Sequence, residues 1–290
     1  MINMKIFSKT RLPNGYRNIY FCGINVFSYF NKSQIPDYRS DVYKFRALNN
    51  CKKLKTLIVG SSHGRDAFIP SVYECNLSNS SQDLYRMYKL YEYVVEHNGR
   101  NLKNVLVFWS VFHPGLQLEK TKNCLHCVPY KFLYDIDYAC EMYPIDARVI
   151  KNIQKLRADI SVPNNYRGKS FYIPGASDTA EKIATGHLKN AVRNNNQIQY
   201  LGKIVDLARR HKHNVYVVLP PYRQDYLNCL PADDKIHFEL FNFLKHNKDV
   251  RLLNFQHDAD FDASDFCNPD HCNERGGRKL TRKIKQLLKD

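Results

Sequence analysis

Ser62 and His271 are the two residues of this chain whose types and surroundings best suit joint chemistry. Ser62 follows a short apolar run, Thr56-Leu57-Ile58-Val59, that breaks at Gly60. The run is too short for a core helix and rich in β-branched residues, which is how a buried parallel strand reads. A strand that stops at a glycine and turns toward a helix leaves backbone N–H groups and a small hydroxyl at the carboxyl edge of a sheet, where open α/β sheets bind ligands. His271 lies in a polar, turn-rich segment, 265–277, just before a helical run with Leu280, Ile284, Leu287 and Leu288 on its apolar positions. A histidine beside carboxylates can take the proton of a serine hydroxyl, because it titrates near working pH and a neighbouring acceptor can fix its tautomer. The chemistry would be nucleophilic acyl transfer. Either block alone also reads as a capped turn or a solvated loop, so the reading depends on elements that bring them together.

Those elements are predicted as five strands alternating with helices. The strands are Thr56–Val59, Val72–Leu77, Asn104–Trp109, Asn214–Leu219 and Val250–Phe255, and the intervening helices are expected over 80–97, from about 195 to 208, and over 234–246. Parallel βαβ units would carry Ser62, Asn79, the stretch Pro221-Tyr222-Arg223 and His271 to one rim. His63, Tyr222 and Arg223 are the candidate substrate contacts on it. The expected organisation is an N-terminal basic and aromatic segment, 1–50, followed by an α/β domain, 51–290, with an insertion at about 117–185. The insertion is rich in tyrosine and carries Arg148, Arg157, Arg167 and Lys169, which suit a sugar groove or plain packing.

Composition narrows the classes. The chain of 290 residues holds 44 Lys and Arg against 28 Asp and Glu, a net charge of +16, which favours polyanionic partners. No nucleic-acid-binding motif accompanies the charge, so an acidic polysaccharide or an anionic membrane surface is the better match. Nine cysteines without a framework spacing suit reduced thiols, and Cys124-Leu125-His126-Cys127 lacks the second pair of a zinc site, so no metal is expected. No apolar run is long enough to span a bilayer and the N-terminus lacks the order of a signal peptide, so the expected location is cytoplasmic. In residues 1–33, Pro13-Asn14-Gly15 marks a turn, while Ile19–Cys22 and Ile24–Phe30 read as a strand pair about Gly23. This basic, aromatic element could press on the inner leaflet.

Gly60-Ser61-Ser62-His63, Asn76-Leu77-Ser78-Asn79-Ser80-Ser81 and Asn268-Pro269-Asp270-His271-Cys272-Asn273 together resemble the blocks of the SGNH (GDSL-like) hydrolase superfamily, in the branch associated with bacterial surface polysaccharides. The likeness covers about 55–113 and 210–290. Residues 17–24 and 27–29 also resemble leaders of capsule and lipopolysaccharide enzymes, including glycosyltransferases. The superfamily resemblance implies a flavodoxin-like three-layer α/β fold with a five-stranded parallel sheet, Ser62 as nucleophile, His271 as base, and O-acyl chemistry on a capsule or lipopolysaccharide glycan. Two departures stand out. Asn268 occupies the position where the superfamily carries an aspartate, leaving Asp270, Asp265 or a Ser–His dyad supported by Asn268 as the arrangement behind His271. The Gly-x-Asn-Asp block is absent, since the corresponding stretch reads Phe108-Trp109-Ser110-Val111-Phe112-His113, which leaves Asn79 as the best side-chain oxyanion donor beside the Ser62 N–H. Cytoplasmic placement favours acetyl-CoA as acyl donor over hydrolysis, with no resident cofactor. The other class to weigh is a non-catalytic glycan-binding or assembly protein of the same pathway.

Overall fold

The computed structural model describes residues 6–159, 179–193 and 195–288, and divides the chain into two compact units. The first combines 6–42 with 117–159; the second combines 43–116 with the chain from 179 onward. Tyr166, Tyr172, Arg167 and Lys169 of the expected insertion lie outside the described residues.

In the first unit the N-terminal residues form a three-stranded antiparallel sheet, β1 (Phe7–Arg11), β2 (Tyr16–Phe21) and β3 (Ile24–Phe30), rather than a strand pair. The β2–β3 connection is the two-residue turn Cys22-Gly23, both with positive φ (47° and 82°), and this backbone twist matches that of the flanking strands. β1 joins through the turn at Pro13–Gly15, where Gly15 has φ 89° and a Cβ would sit 2.8 Å from the Phe30 ring. The helices Val128–Tyr134 and Ala147–Asp159 belong to the same unit, and Asp146 ties to β2 through the Tyr16 hydroxyl at 2.8 Å.

The second unit is built on a five-stranded parallel sheet: β4 (Thr56–Gly60), β5 (Glu74–Asn76), β6 (Asn104–Phe108), β7 (Asn214–Leu219) and β8 (Arg251–Asn254), in the spatial order β5-β4-β6-β7-β8. Numbered within the sheet this is 2-1-3-4-5, compatible with the flavodoxin-like arrangement. β4, β6 and β7 are apolar almost throughout because helices cover both faces of the sheet. On one face Ile58, Leu106, Phe108, Tyr216 and Val218 pack with Leu280 and Ile284 of the terminal helix, Glu274–Leu287. Alternate residues such as Leu57, Val107 and Val217 point the other way, toward the helices Leu84–Asn98 and Ile198–His211, which contact each other and the sheet.

Several element ends differ from expectation for identifiable reasons. The second strand starts at Glu74, with Val72 and Tyr73 exposed ahead of it. The following helix starts at Leu84 because Asp83 caps it, its carboxylate accepting the Arg86 N–H at 3.0 Å. The expected helix over 234–246 is broken into Asp233–Ile236 and Phe238–His246 at His237, a buried residue whose ring bonds Gln256 at 2.7 Å. No helix among the described residues is long and apolar enough to cross a membrane.

Candidate active site

Ser62 is the first residue of a short helix, Ser62–Ala67, that begins directly at the carboxyl end of β4. The turn is tight enough to demand glycine. A Cβ at Gly60 would lie 2.6 Å from the Phe108 Cβ, and one at Gly64 would lie 2.7 Å from the Ser78 hydroxyl. Ser61 caps the helix, accepting the His63 N–H at 3.3 Å, and is fully buried, whereas Ser62 is partly exposed.

His271 is delivered by a small antiparallel hairpin, β9 (Phe266–Asn268) and β10 (His271–Cys272), in which His271 pairs with Asn268. The terminal helix docks this hairpin against the serine helix, with Gly277 so close that a Cβ would meet the Asp66 carbonyl at 2.8 Å. The Asn268 amide oxygen accepts the N–H groups of Asp270 and His271 at 3.2 and 2.8 Å and lies 3.1 Å from His271 Nδ1. Asn268 therefore shapes the turn.

The two blocks meet. His271 Nε2 is 2.8 Å from Ser62 Oγ, and His271 Nδ1 is 2.9 Å from Asp270 Oδ1. An ionised Asp270 fixes the Nδ1–H tautomer, leaving Nε2 to accept the Ser62 proton. Of the three arrangements left open behind His271, the geometry is that of Asp270. Asp265 is buried elsewhere, pairing with Arg275 at 3.2 Å and with Lys279 and accepting the Asp262 N–H at 3.1 Å.

His63 does not sit as an open substrate contact. It is buried behind Asp270, with Nε2 2.8 Å from Asp270 Oδ2 and Nδ1 2.7 Å from Ser110 Oγ. Ser110 Oγ is in turn 2.7 Å from Ser61 Oγ. One proton assignment that satisfies the set runs from Ser61 O–H to Ser110, from Ser110 O–H to His63 Nδ1, and from His63 Nε2–H to Asp270, which also accepts from His271. Burial lowers the His63 pKa, opposed by its bond to Asp270, so the ring is held neutral, as this assignment requires. Burial alone would raise the Asp270 pKa, yet His271 and His63 hold its carboxyl well below the usual range.

Tyr222 is buried over the same ring, its hydroxyl 3.3 Å from His63 Nδ1, and burial with the Asp270 charge raises its pKa well above the ordinary value. Arg223 lies outside this cluster: its side chain pairs with Asp225 at 2.6 Å and its N–H donates to the Pro269 carbonyl, bracing the histidine turn. Asn79 is anchored near the strand end by its N–H to the Gly60 carbonyl at 3.0 Å, and its side-chain oxygen accepts the Ser80 N–H at 2.9 Å. His63, Asp270 and His271 present ligand-type atoms within 4.8 Å of one another.

Sequence reasoning missed Ser110 and His187. Ser110 follows β6 as Ser62 follows β4, a placement visible once the two strands are taken as neighbours. His187, on the helix Ala180–Ala191, stands 3.8 Å from Asp270 Oδ2 and bonds the Tyr226 hydroxyl at 2.7 Å, and burial pushes its pKa down to about 3. Nothing in its local sequence marks it. No protein-family model matches this chain, and no curated protein sequence matches it.

Proposed function

We propose that this protein is a serine-dependent O-acyl transferase or esterase of the SGNH type, acting on a bacterial surface polysaccharide or its precursor. The observation that carries the reading is the continuous line from Ser62 Oγ through His271 to Asp270, at 2.8 and 2.9 Å, with a partly exposed serine at one end and a buried carboxylate at the other. Ser62 Oγ attacks the acyl carbonyl while His271 Nε2 takes its proton, and the Asp270 carboxylate stabilises the imidazolium so formed. The tetrahedral oxyanion is met by the Ser62 N–H, which has no intrahelical acceptor at the first helical position, and by Asn79. His271 then returns the proton to the leaving group, a thiolate if acetyl-CoA is the donor. The acyl-serine passes to a sugar hydroxyl in a transferase or to water in an esterase. The glycan as acceptor rests on the resemblance of the three sequence blocks and on the +16 charge.

The deciding experiment is labelling with a fluorophosphonate probe followed by peptide mapping. Rapid modification at Ser62 that is lost in His271→Ala supports the reading. The lack of a Gly-x-Asn-Asp block favours a second reading, a glycan-binding or assembly protein on the same fold. An unlabelled protein that nevertheless binds an acidic glycan would establish that second reading.

A further inference from the structure

The strand registers of the β1–β3 sheet fix what one of its faces carries. Phe7 pairs with Phe21 and Phe21 with Ile24; Lys9 pairs with Ile19 and Ile19 with Phe27; Arg11 pairs with Arg17 and Arg17 with Tyr29. Side chains directly opposite in an antiparallel sheet share a face, so three rows cross it. The row at the β2–β3 turn is wholly apolar, and Phe7 and Ile24 in it are 67% and 70% exposed. The middle row mixes Lys9 with Phe27, itself 57% exposed. The far row sets two arginines opposite each other.

Two features of this face are unfavourable for an isolated sheet in water. Large apolar side chains stand uncovered, with the Phe7 and Phe21 rings gathered at 5.1 Å. Like charges lie directly opposite, which destabilises a strand pair. No acidic residue occurs in 1–36, and among the described residues none of Lys9, Arg11 and Arg17 has a carboxylate partner. The apolar row and the double-arginine row are four residues apart along β1, or about 13 Å. That is the order and roughly the spacing of a bilayer interface entered end on, with acyl chains beneath the headgroups and phosphates further out.

We propose that this face docks on an anionic membrane tip first, the Phe7, Phe21 and Ile24 row entering the acyl boundary and Arg11 and Arg17 meeting lipid phosphates, with Lys9 between. A second copy fits less well, since a two-fold contact would set a face bearing only positive charge against itself. A soluble acidic glycan would answer the arginines and leave the apolar row in water. The proposal is independent of the chemistry at Ser62.

The test is co-sedimentation of the full chain with vesicles of phosphatidylcholine alone and of phosphatidylcholine with phosphatidylglycerol. Binding is expected only to the anionic vesicles and should weaken with salt. Arg11→Gln with Arg17→Gln should lower the partition constant about 25-fold, at roughly fivefold for each basic residue near the surface. Phe21→Ser with Ile24→Ser should abolish the salt-resistant part of the binding. Arg11, Phe21 and Ile24 are exposed and Arg17 is half-buried with its Nε covered, so the melting temperature of each variant is measured alongside and an unchanged value verifies its fold. The proposal is overturned if the wild-type chain ignores both vesicles or binds both equally. Self-association lost in the Phe21 and Ile24 variant would overturn it in favour of a dimer interface. Binding to a soluble acidic glycan that matches vesicle binding and survives the apolar substitutions would overturn it in favour of a glycan surface.

Discussion

Replacing Asp270 by asparagine tests the site at the point where its two halves join. The carboxylate is almost fully buried and accepts one N–H from His271 and one from His63, at 2.9 and 2.8 Å. Asparagine keeps the volume but has a single acceptor oxygen, so its amide N–H must face one of the two rings. If it faces His271, the imidazole turns to the Nε2–H tautomer and can no longer take the Ser62 proton, a defect on the order of 10⁴-fold in the serine triads where it has been worked out. If it faces His63, that ring moves its proton to Nδ1 and the Ser110 hydroxyl reverses. His271 then keeps its tautomer but loses the charge behind the imidazolium. At the effective dielectric of about 20 that describes protein sites, a charge pair about 4 Å apart is worth roughly 4 kcal/mol, or about 10³-fold. We therefore expect a fall of about 10³- to 10⁴-fold in either case. The rate of fluorophosphonate labelling at Ser62 measures it without knowledge of the natural substrate. A lost charge-assisted bond also removes about 1–3 kcal/mol of stability, so labelling is compared at a temperature where both proteins are folded. Labelling of Asp270→Asn within threefold of wild type would refute the triad and leave a Ser62–His271 dyad.

The other predictions concern residues around that line. Ser62→Ala should abolish labelling and Ser61→Ala should leave its stoichiometry intact, because the Ser61 hydroxyl is buried against Ser110; a label on Ser61 would reassign the nucleophile. Asp265→Asn should lower the melting temperature by several degrees while labelling per folded molecule stays unchanged, since Asp265 serves Arg275, Lys279 and the Asp262 turn; lost labelling in the folded variant would contradict this. Burial holds His113 and His187 at a pKa of about 3, so the unfolded chain binds protons that the folded one refuses and stability drops as pH falls below about 6.5. Between pH 7 and pH 5 the loss is roughly 2 kcal/mol for each ring, read as a falling urea midpoint, and a midpoint that is flat over this range would show that these rings accept protons in the folded state.

Legibility in the sequence followed how locally each feature is caused. β4, β6 and β7 were readable because sandwiching between helices demands unbroken apolar runs, and Thr56–Val59, Asn104–Phe108 and Asn214–Leu219 supply them. β1 was not, since Phe-Ser-Lys-Thr-Arg has one apolar residue and owes its extension to pairing with β2. The break at His237 was equally hidden, because its cause is a bond to Gln256 on another segment.

The site divides along the same line. Ser62 and His271 stand in compact blocks whose glycines and turn residues announce a strand end and a loop, and Asp270 is adjacent in sequence to the ring it orients. Between the blocks the contacts depend on register. Gly60 pairs with Phe108, so the residues just past the ends of β4 and β6 lie near one another, and there Ser61 and Ser110 meet at 2.7 Å. His63 stands one residue past Ser62, near the start of the same helix, and is directed inward, where its ring meets Ser110, Asp270 and Tyr222. A reading that assumed the parallel order β5-β4-β6 and then extended its register two residues past the strand ends would have reached Ser110, and from Ser110 the buried role of His63.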